Sequence, residues 1–382
     1  MTRGLRFLTH ALLLALACAE LAGCTFFSKG TGPQMAKLTE IPNASPVRRL
    51  WQDSIGASGP NVLAPAVSGG SVFAAGYDGA LARFDLATGK QLWRVRTGQS
   101  LTGGVGSDGN VVVVGTGKGS VLAFDADGKP LWTVQVSSEV LSAPAVANGL
   151  VVVRTGDNFT FGLEAVSGKR RWLVQRASPA LVARSNAGAI ISGSSVYAGF
   201  AGGKLISVNA LTGAMQWEAT VSTPRGATEL ERISDITSLP AANGSTVCAV
   251  AFQGKLSCFE SANGNPLWSR DVSSTAGLAI DVRYVVVSDD KGSVQAFDRS
   301  TGASVWKQDK LALRKLSPPV SQGRFIAVAD VEGYIHFLNR EDGALNARVA
   351  TDGSAISAEL IAADRVLVAQ TRKGGVYAVS AQ

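Results

Sequence analysis

The stretch GSVFAAGYDGALARFDLATGKQLW, residues Gly70–Trp93, decides the fold. It reads as a short apolar strand, a Gly turn, a second strand, a second Gly turn and a strand carrying Trp93. The same pattern returns to the C-terminus. The Gly of the first turn recurs at Gly79, Gly119, Gly203, Gly254, Gly292, Gly333 and Gly374, with Asn158 in its place once. Six residues after each stands Asp85, Asp125, Glu164, Asn209, Glu260, Asp298, Asn339 or Ser380. That makes eight repeats of about 40 residues, and repeats fix an architecture before any single residue does.

The second turn ends on Gly89, Gly128, Gly168, Gly213, Gly264, Gly302 and Gly343. Four residues beyond come six Trp (93, 132, 172, 217, 268 and 306), then Ala347, where Leu345 is expected to fill the gap. A short apolar run often opened by Pro, as at Pro65, Pro144 and Pro240, precedes each repeat and suits an innermost strand. Each repeat thus supplies four strands, but the eighth stops after its third. Trp51, in Arg48-Arg49-Leu50-Trp51-Gln52, has the character of a fourth strand without a blade. The expected fold is all-β: an eight-bladed β-propeller of four-stranded antiparallel blades over 47–382, its last blade closed by the N-terminal strand. The Trp set and the turn Asp, Asn and Glu read as packing and turn residues rather than as a cofactor bed or Ca²⁺ ligands.

Composition agrees: 46% of residues are hydrophobic, 17% are charged, and there are 43 Gly. The formal charge of +7 is scattered, which argues against a nucleic-acid track. Beyond the leader the only imidazole is His336, read as a surface strand residue, and one imidazole builds neither a His-based triad nor a multi-His metal site. No catalytic residue, metal or cofactor is therefore expected. Cys248 and Cys258 lie on the two arms of one hairpin. A two-residue turn at Gln253-Gly254 would face them apart, so free packed thiols are the expectation, with a disulfide the alternative.

Arg3 and Arg6 precede the apolar run Phe7–Ala19, and Leu21-Ala22-Gly23-Cys24 follows. This is a signal peptide, 1–23, ending in a lipobox-like tetrapeptide whose Cys24 thiol would accept the lipid. Thr25 at the next position, rather than Asp, favours the outer membrane. Residues 24–46, with three Pro and little periodicity, read as a lipidated flexible tether of roughly 25 Å.

The repeat is broken in one region. Successive Trp from Trp93 to Trp306 lie 39, 40, 45, 51 and 38 residues apart, so two neighbouring connections are long. They are 176–184 and 223–235, and long loops on a rigid scaffold are where recognition concentrates.

The repeat pattern resembles that of the quinoprotein (PQQ-type) propellers. The lipobox, the tether and the segment ATELERISDITSLP (227–240) resemble the BamB family of outer-membrane assembly factors. That resemblance implies a non-enzymatic lipoprotein on the periplasmic face of the outer membrane. It implies binding to the POTRA domains of BamA, alongside the other subunits of the barrel-assembly complex, with nascent outer-membrane proteins as further partners. It places partner contacts on Leu181, Ala183, Arg184, Asp235 and Thr237, although the family commonly has Leu where Ala183 stands and Asp where Thr237 stands. Arg184 and Asp235 would alternatively pair with each other across the loops. The competing function is a small periplasmic quinoprotein oxidoreductase, which would need a cofactor bed and longer insertions than this chain carries.

Overall fold

Eight four-stranded antiparallel sheets follow one another along the chain, one for each repeat. The computed structural model describes residues 33–381 apart from Ser178, Ala180 and Arg184; the leader and Cys24 lie outside the described residues. Blade one runs outward through Ala66–Ser68, Ser71–Ala75, Ala80–Asp85 and Gln91–Arg96. The innermost strands start directly after Pro65, Pro144 and Pro240, where a missing N–H breaks no ladder. Blade eight takes its outermost strand, Val47–Ser54, from the far end of the sequence; it pairs with Gly375–Ala381, Trp51 facing Ala378. No helix occurs among the described residues.

The Gly-to-Trp spacing has a physical basis that the ring makes plain. Each Trp reaches across to the next blade and donates its indole N–H to the backbone carbonyl just after that blade's turn Asp, Asn or Glu. Trp51 donates to Leu86 O at 2.8 Å, Trp93 to Ala126 O at 2.7 Å and Trp306 to Arg340 O at 2.9 Å. Trp132, Trp172, Trp217 and Trp268 do the same. The Gly of that turn lies under the indole. At Gly89, φ is 73° and an added Cβ would sit 2.6 Å from the Trp51 ring, so both the backbone and the packing demand Gly.

The seventh blade has no such seat ahead of it, because the third and fourth strands of blade eight are not consecutive in the chain and no Gly turn joins them. Ala347 stands there, packed with Phe337, Val379 and the flanks of Val47 and Ala381. Leu345, expected to fill the gap, packs on the other face, in the blade six–seven cluster with Trp306 and Leu338. The turn carboxylates and amides bond their own backbone. Asp85 accepts from the Thr88 N–H at 2.8 Å and hydroxyl at 2.6 Å, and Ser300 and Thr301 hold Asp298 down at about 2.

Two further sequence expectations are corrected. Cys248 and Cys258 form a disulfide. The turn has three residues, 252–254, closed by Ala251 N–H donating to Lys255 O at 3.0 Å. An odd loop sets the two cysteines directly opposite each other, Cα atoms 4.1 Å apart, as in a non-hydrogen-bonded pair. His336 is fully buried rather than on the surface. Its strand, Tyr334–Asn339, is covered on both faces by neighbouring blades, so alternation exposes neither side.

His336 belongs to a buried charge cluster. Asp330 accepts from Arg314 Nε at 2.5 Å and faces His336 Nε2 at 2.9 Å, while Arg348 Nε donates to His336 Nδ1 at 3.2 Å. Arg314 also pairs with Glu332. The two arginines hold the C-terminal part of the segment 24–46 expected as a flexible tether. Arg314 donates to Ala36 O at 2.9 Å and Arg348 to Thr39 O at 3.2 Å; Ala36 N–H donates to Ala312 O, Ser45 N–H donates to Asn346 O, and Leu38 packs on the blade six–seven core. Residues 36–46 thus run along the ring, where the buried Arg314 and the half-buried Arg348 guanidiniums meet backbone carbonyls.

With Arg348 donating to Nδ1, the ring is neutral and Nε2–H donates to Asp330. Burial, then the nearby Arg348 and Arg314 charges, hold His336 below its usual 6.5, against the pull of Asp330. The unfolded chain therefore takes up the proton first as pH falls. The stabilisation is complete above about pH 6.5 and is lost below it, by up to about 1.4 kcal/mol per pH unit. His336→Gln keeps a donor for Asp330 and an acceptor for Arg348 but does not titrate. We expect the wild-type melting temperature to fall between pH 7.5 and 5.5 and the variant's profile to be flatter; parallel profiles would refute this assignment.

Candidate functional site

The two long connections meet beside blade four. In the second, Thr228 and Glu231 form a reciprocal cap around a single turn. Glu231 Oε2 accepts from the Ala227 and Thr228 N–H groups at 2.9 and 3.0 Å, and Thr228 Oγ1 accepts from Glu231 N–H at 3.2 Å. Those bonds, the Thr228 N–H first, lower the Glu231 pKa. The turn leaves Leu230 outside, 68% exposed. In the first connection Leu181 and Val182 are 42% and 39% exposed. Three aliphatic side chains thus stand in solvent among the exposed charges Glu229 and Arg232, themselves paired at 3.4 Å.

Beneath them the loops are joined by Asp235. Only 3% exposed, it accepts from Ala183 N–H at 2.7 Å and Gly202 N–H at 2.8 Å. Its carboxylate is the staple that ties the first loop to the second. Thr237 is also buried and lines the cavity of about 730 Å³ formed by the innermost strands. Of the five residues singled out by sequence, Leu181, Ala183 and Asp235 come together, Thr237 lies deeper, and Arg184 is outside the described residues.

One residue escaped the sequence reading. Arg154 ends the strand Leu150–Arg154 and lies fully under the loops, its guanidinium 4.2 Å from the Phe200 ring centroid. It donates to Gly199 O, to Asn158 Oδ1 at 3.3 Å and to Ala187 O at 3.4 Å. Burial pushes it down to about 10, opposed by Asp235, so it stays cationic at neutral pH. A signal existed: the equivalent strand positions carry Ala75, Gly115, Gly199, Val250, Ser288, Ala329 and Gln370, and no charge. Arg154, Asp235 and Glu139 line a cleft of about 250 Å³ between the loops. The arrangement offers a rigid, mixed apolar and charged surface. Among the described residues no group of His, Cys, Asp and Glu is arranged to hold a metal ion.

A solved structure, BamB from Moraxella catarrhalis, superposes with a TM-score of 0.81 at 28% identity, covering 87% of this chain and 99% of that one. A quinohemoprotein alcohol dehydrogenase from Pseudomonas putida shares the fold alone, at 12% identity and a TM-score of 0.69, covering 88% of this chain and 76% of that one. The outer membrane protein assembly factor BamB of Bordetella pertussis is 41% identical over 363 residues, 94% of each chain. That of Burkholderia pseudomallei is 42% identical over 371 residues, covering 96% of this chain and 97% of its own. A family model described as outer membrane protein assembly factor BamB matches residues 25–100 and 77–308. With repeat, ring and near full-length relatives in agreement, the chain belongs to the BamB family of outer membrane protein assembly factors.

Proposed function

We propose that the chain is a non-enzymatic scaffold of the outer-membrane β-barrel assembly complex, anchored through lipid on Cys24 at the periplasmic face and binding the POTRA domains of BamA. The observation that carries the docking reading is the junction of the two repeat-breaking loops, fixed by Asp235 and topped by exposed Leu181, Val182 and Leu230. Contacts centre on Leu181, Ala183 and Arg184. Asp235 acts from beneath, by holding the loops, and Thr237 lies deeper behind it. Arg is enriched at interface hot spots, and its planar five-donor group suits a carboxylate, with Leu181 beside it as an apolar anchor. The names of the relatives support membership of the assembly machinery.

Leu181→Asp and Arg184→Glu, each on the full lipoprotein, are expected to weaken recovery of BamA by roughly thirtyfold, a loss of about 2 kcal/mol, with an unchanged melting temperature. Undiminished recovery with both variants would overturn the docking reading.

A further inference from the structure

Blade five departs from the other seven at its hairpin turn. In the others the fourth residue of the turn is left-handed, as at Gly79, Gly119, Asn158 and Gly333, with blade four adding Gly202 at the third. Here the left-handed residue is Gln253, one residue earlier, with φ at 49°, while Gly254 does not adopt that conformation. A Gln at positive φ is strained unless its surroundings hold it. They do. Gln253 N–H donates to Ser273 Oγ at 2.8 Å, and its side-chain amide nitrogen, oriented by the acceptors around it, donates to Ile233 O at 3.0 Å and Leu230 O at 3.3 Å. Phe252 N–H donates to Asp235 O at 2.8 Å, and Ser257 Oγ to Val221 O at 2.8 Å.

The hairpin therefore supplies donors to three carbonyls of the second loop, at 230, 233 and 235, and to one just ahead of it, at 221. Asp235, held this way by its backbone, uses its side chain to hold the first loop. The Cys248–Cys258 bond crosses the two arms of this hairpin, three residues behind the turn, with both sulfurs in the fully buried core.

We propose that the Cys248–Cys258 disulfide and Gln253 are a positioning brace for the docking surface: the bond fixes the hairpin arms, and the turn they carry sets the height and shape of the second loop. The brace rests on the docking reading above for its purpose, but not for its test. The bond ties directly opposed residues, so the two arms are covalently joined behind the turn. The brace makes no contact with the partner itself.

The test uses two variants of the full chain. Cys248→Ala combined with Cys258→Val removes the bond while keeping the core filled; Gln253→Ala leaves bond and core intact. Backbone amide hydrogen exchange over 228–237 needs no partner and is read against the strands Ser71–Ala75 and Val111–Thr116 of blades one and two. Both variants are expected to exchange at least tenfold faster in 228–237, with blades one and two unchanged, and to recover less BamA. Unchanged exchange in 228–237 after loss of the bond overturns the proposal, as does acceleration spread evenly round the ring. If exchange rises as expected while Leu181→Asp and Arg184→Glu leave BamA recovery intact, the brace stands and the docking reading falls.

Discussion

Removing residues 47–54 is expected to lower the melting temperature of the whole ring by on the order of 10 °C or more. The loss is larger than a terminal trimming because these residues form the outermost strand of blade eight, not an appendage. They contribute a seven-pair ladder to Gly375–Ala381 and the Trp51 indole, which is 8% exposed and bonded to Leu86 O across the blade eight–one junction. Truncating a buried Trp alone is worth about 3–5 kcal/mol. Deletion also exposes Gly375–Ala381 as a raw edge and uncovers the core shared by Ala74, Phe84 and Val368. In a ring each blade is stabilised by both neighbours, so weakening one junction opens the closed array to unfolding from that point. Circular dichroism melting of the truncated and intact proteins checks it, and equal midpoints would show that blade eight closes without this strand. Trp51→Ala should reproduce a third or more of the effect.

The ring was legible in the sequence because its parts repeat and because two of them, the turn Gly and the Trp of the blade before it, are coupled in space as well as in spacing. Even the exception at Ala347 follows from the same rule. The docking region was legible as a change of interval between Trp172, Trp217 and Trp268, which located the loops but not their internal order. The carboxylate of Asp235 pointed to a partner, with Arg184 the alternative, and only the fold shows it holding Ala183 and Gly202. The disulfide was misread for a local reason: the turn was counted as two residues when it has three, and one residue reverses the facing of every side chain on an arm. The charge cluster was hard to read because its four members, Arg314, Asp330, His336 and Arg348, lie on a connection, a turn and two strands apart in sequence; the one partial echo is Asp289, which holds the same turn in blade six but bonds Gln295 where His336 stands.

That cluster carries the second large effect. Asp330→Ala is expected to destabilise the protein by about 3–5 kcal/mol, the range for breaking a buried ion pair. Asp330 is fully buried, and burial alone would raise its pKa. The His336 and Tyr334 N–H hydrogen bonds and the Arg314 pair reverse that, so it is an anion in the folded state. Its Oδ1 accepts from the Glu332 and Tyr334 N–H groups at 3.0 Å each, fixing the turn, while Oδ2 takes Arg314 and faces His336. Alanine removes all four and leaves Arg314, 2% exposed, with Glu332 and one carbonyl for a buried positive charge. Asp330→Asn keeps the turn bonds and the packing and should fall between alanine and wild type, separating the charge from the geometry. Asp271→Ala is the control: its pair with Lys255 is 3.5 Å long and its side chain 89% exposed, so less than about 1 kcal/mol is expected. Denaturant titration of the three variants decides the matter. A loss at Asp330 no greater than at Asp271 would mean that Arg314 and His336 find other partners.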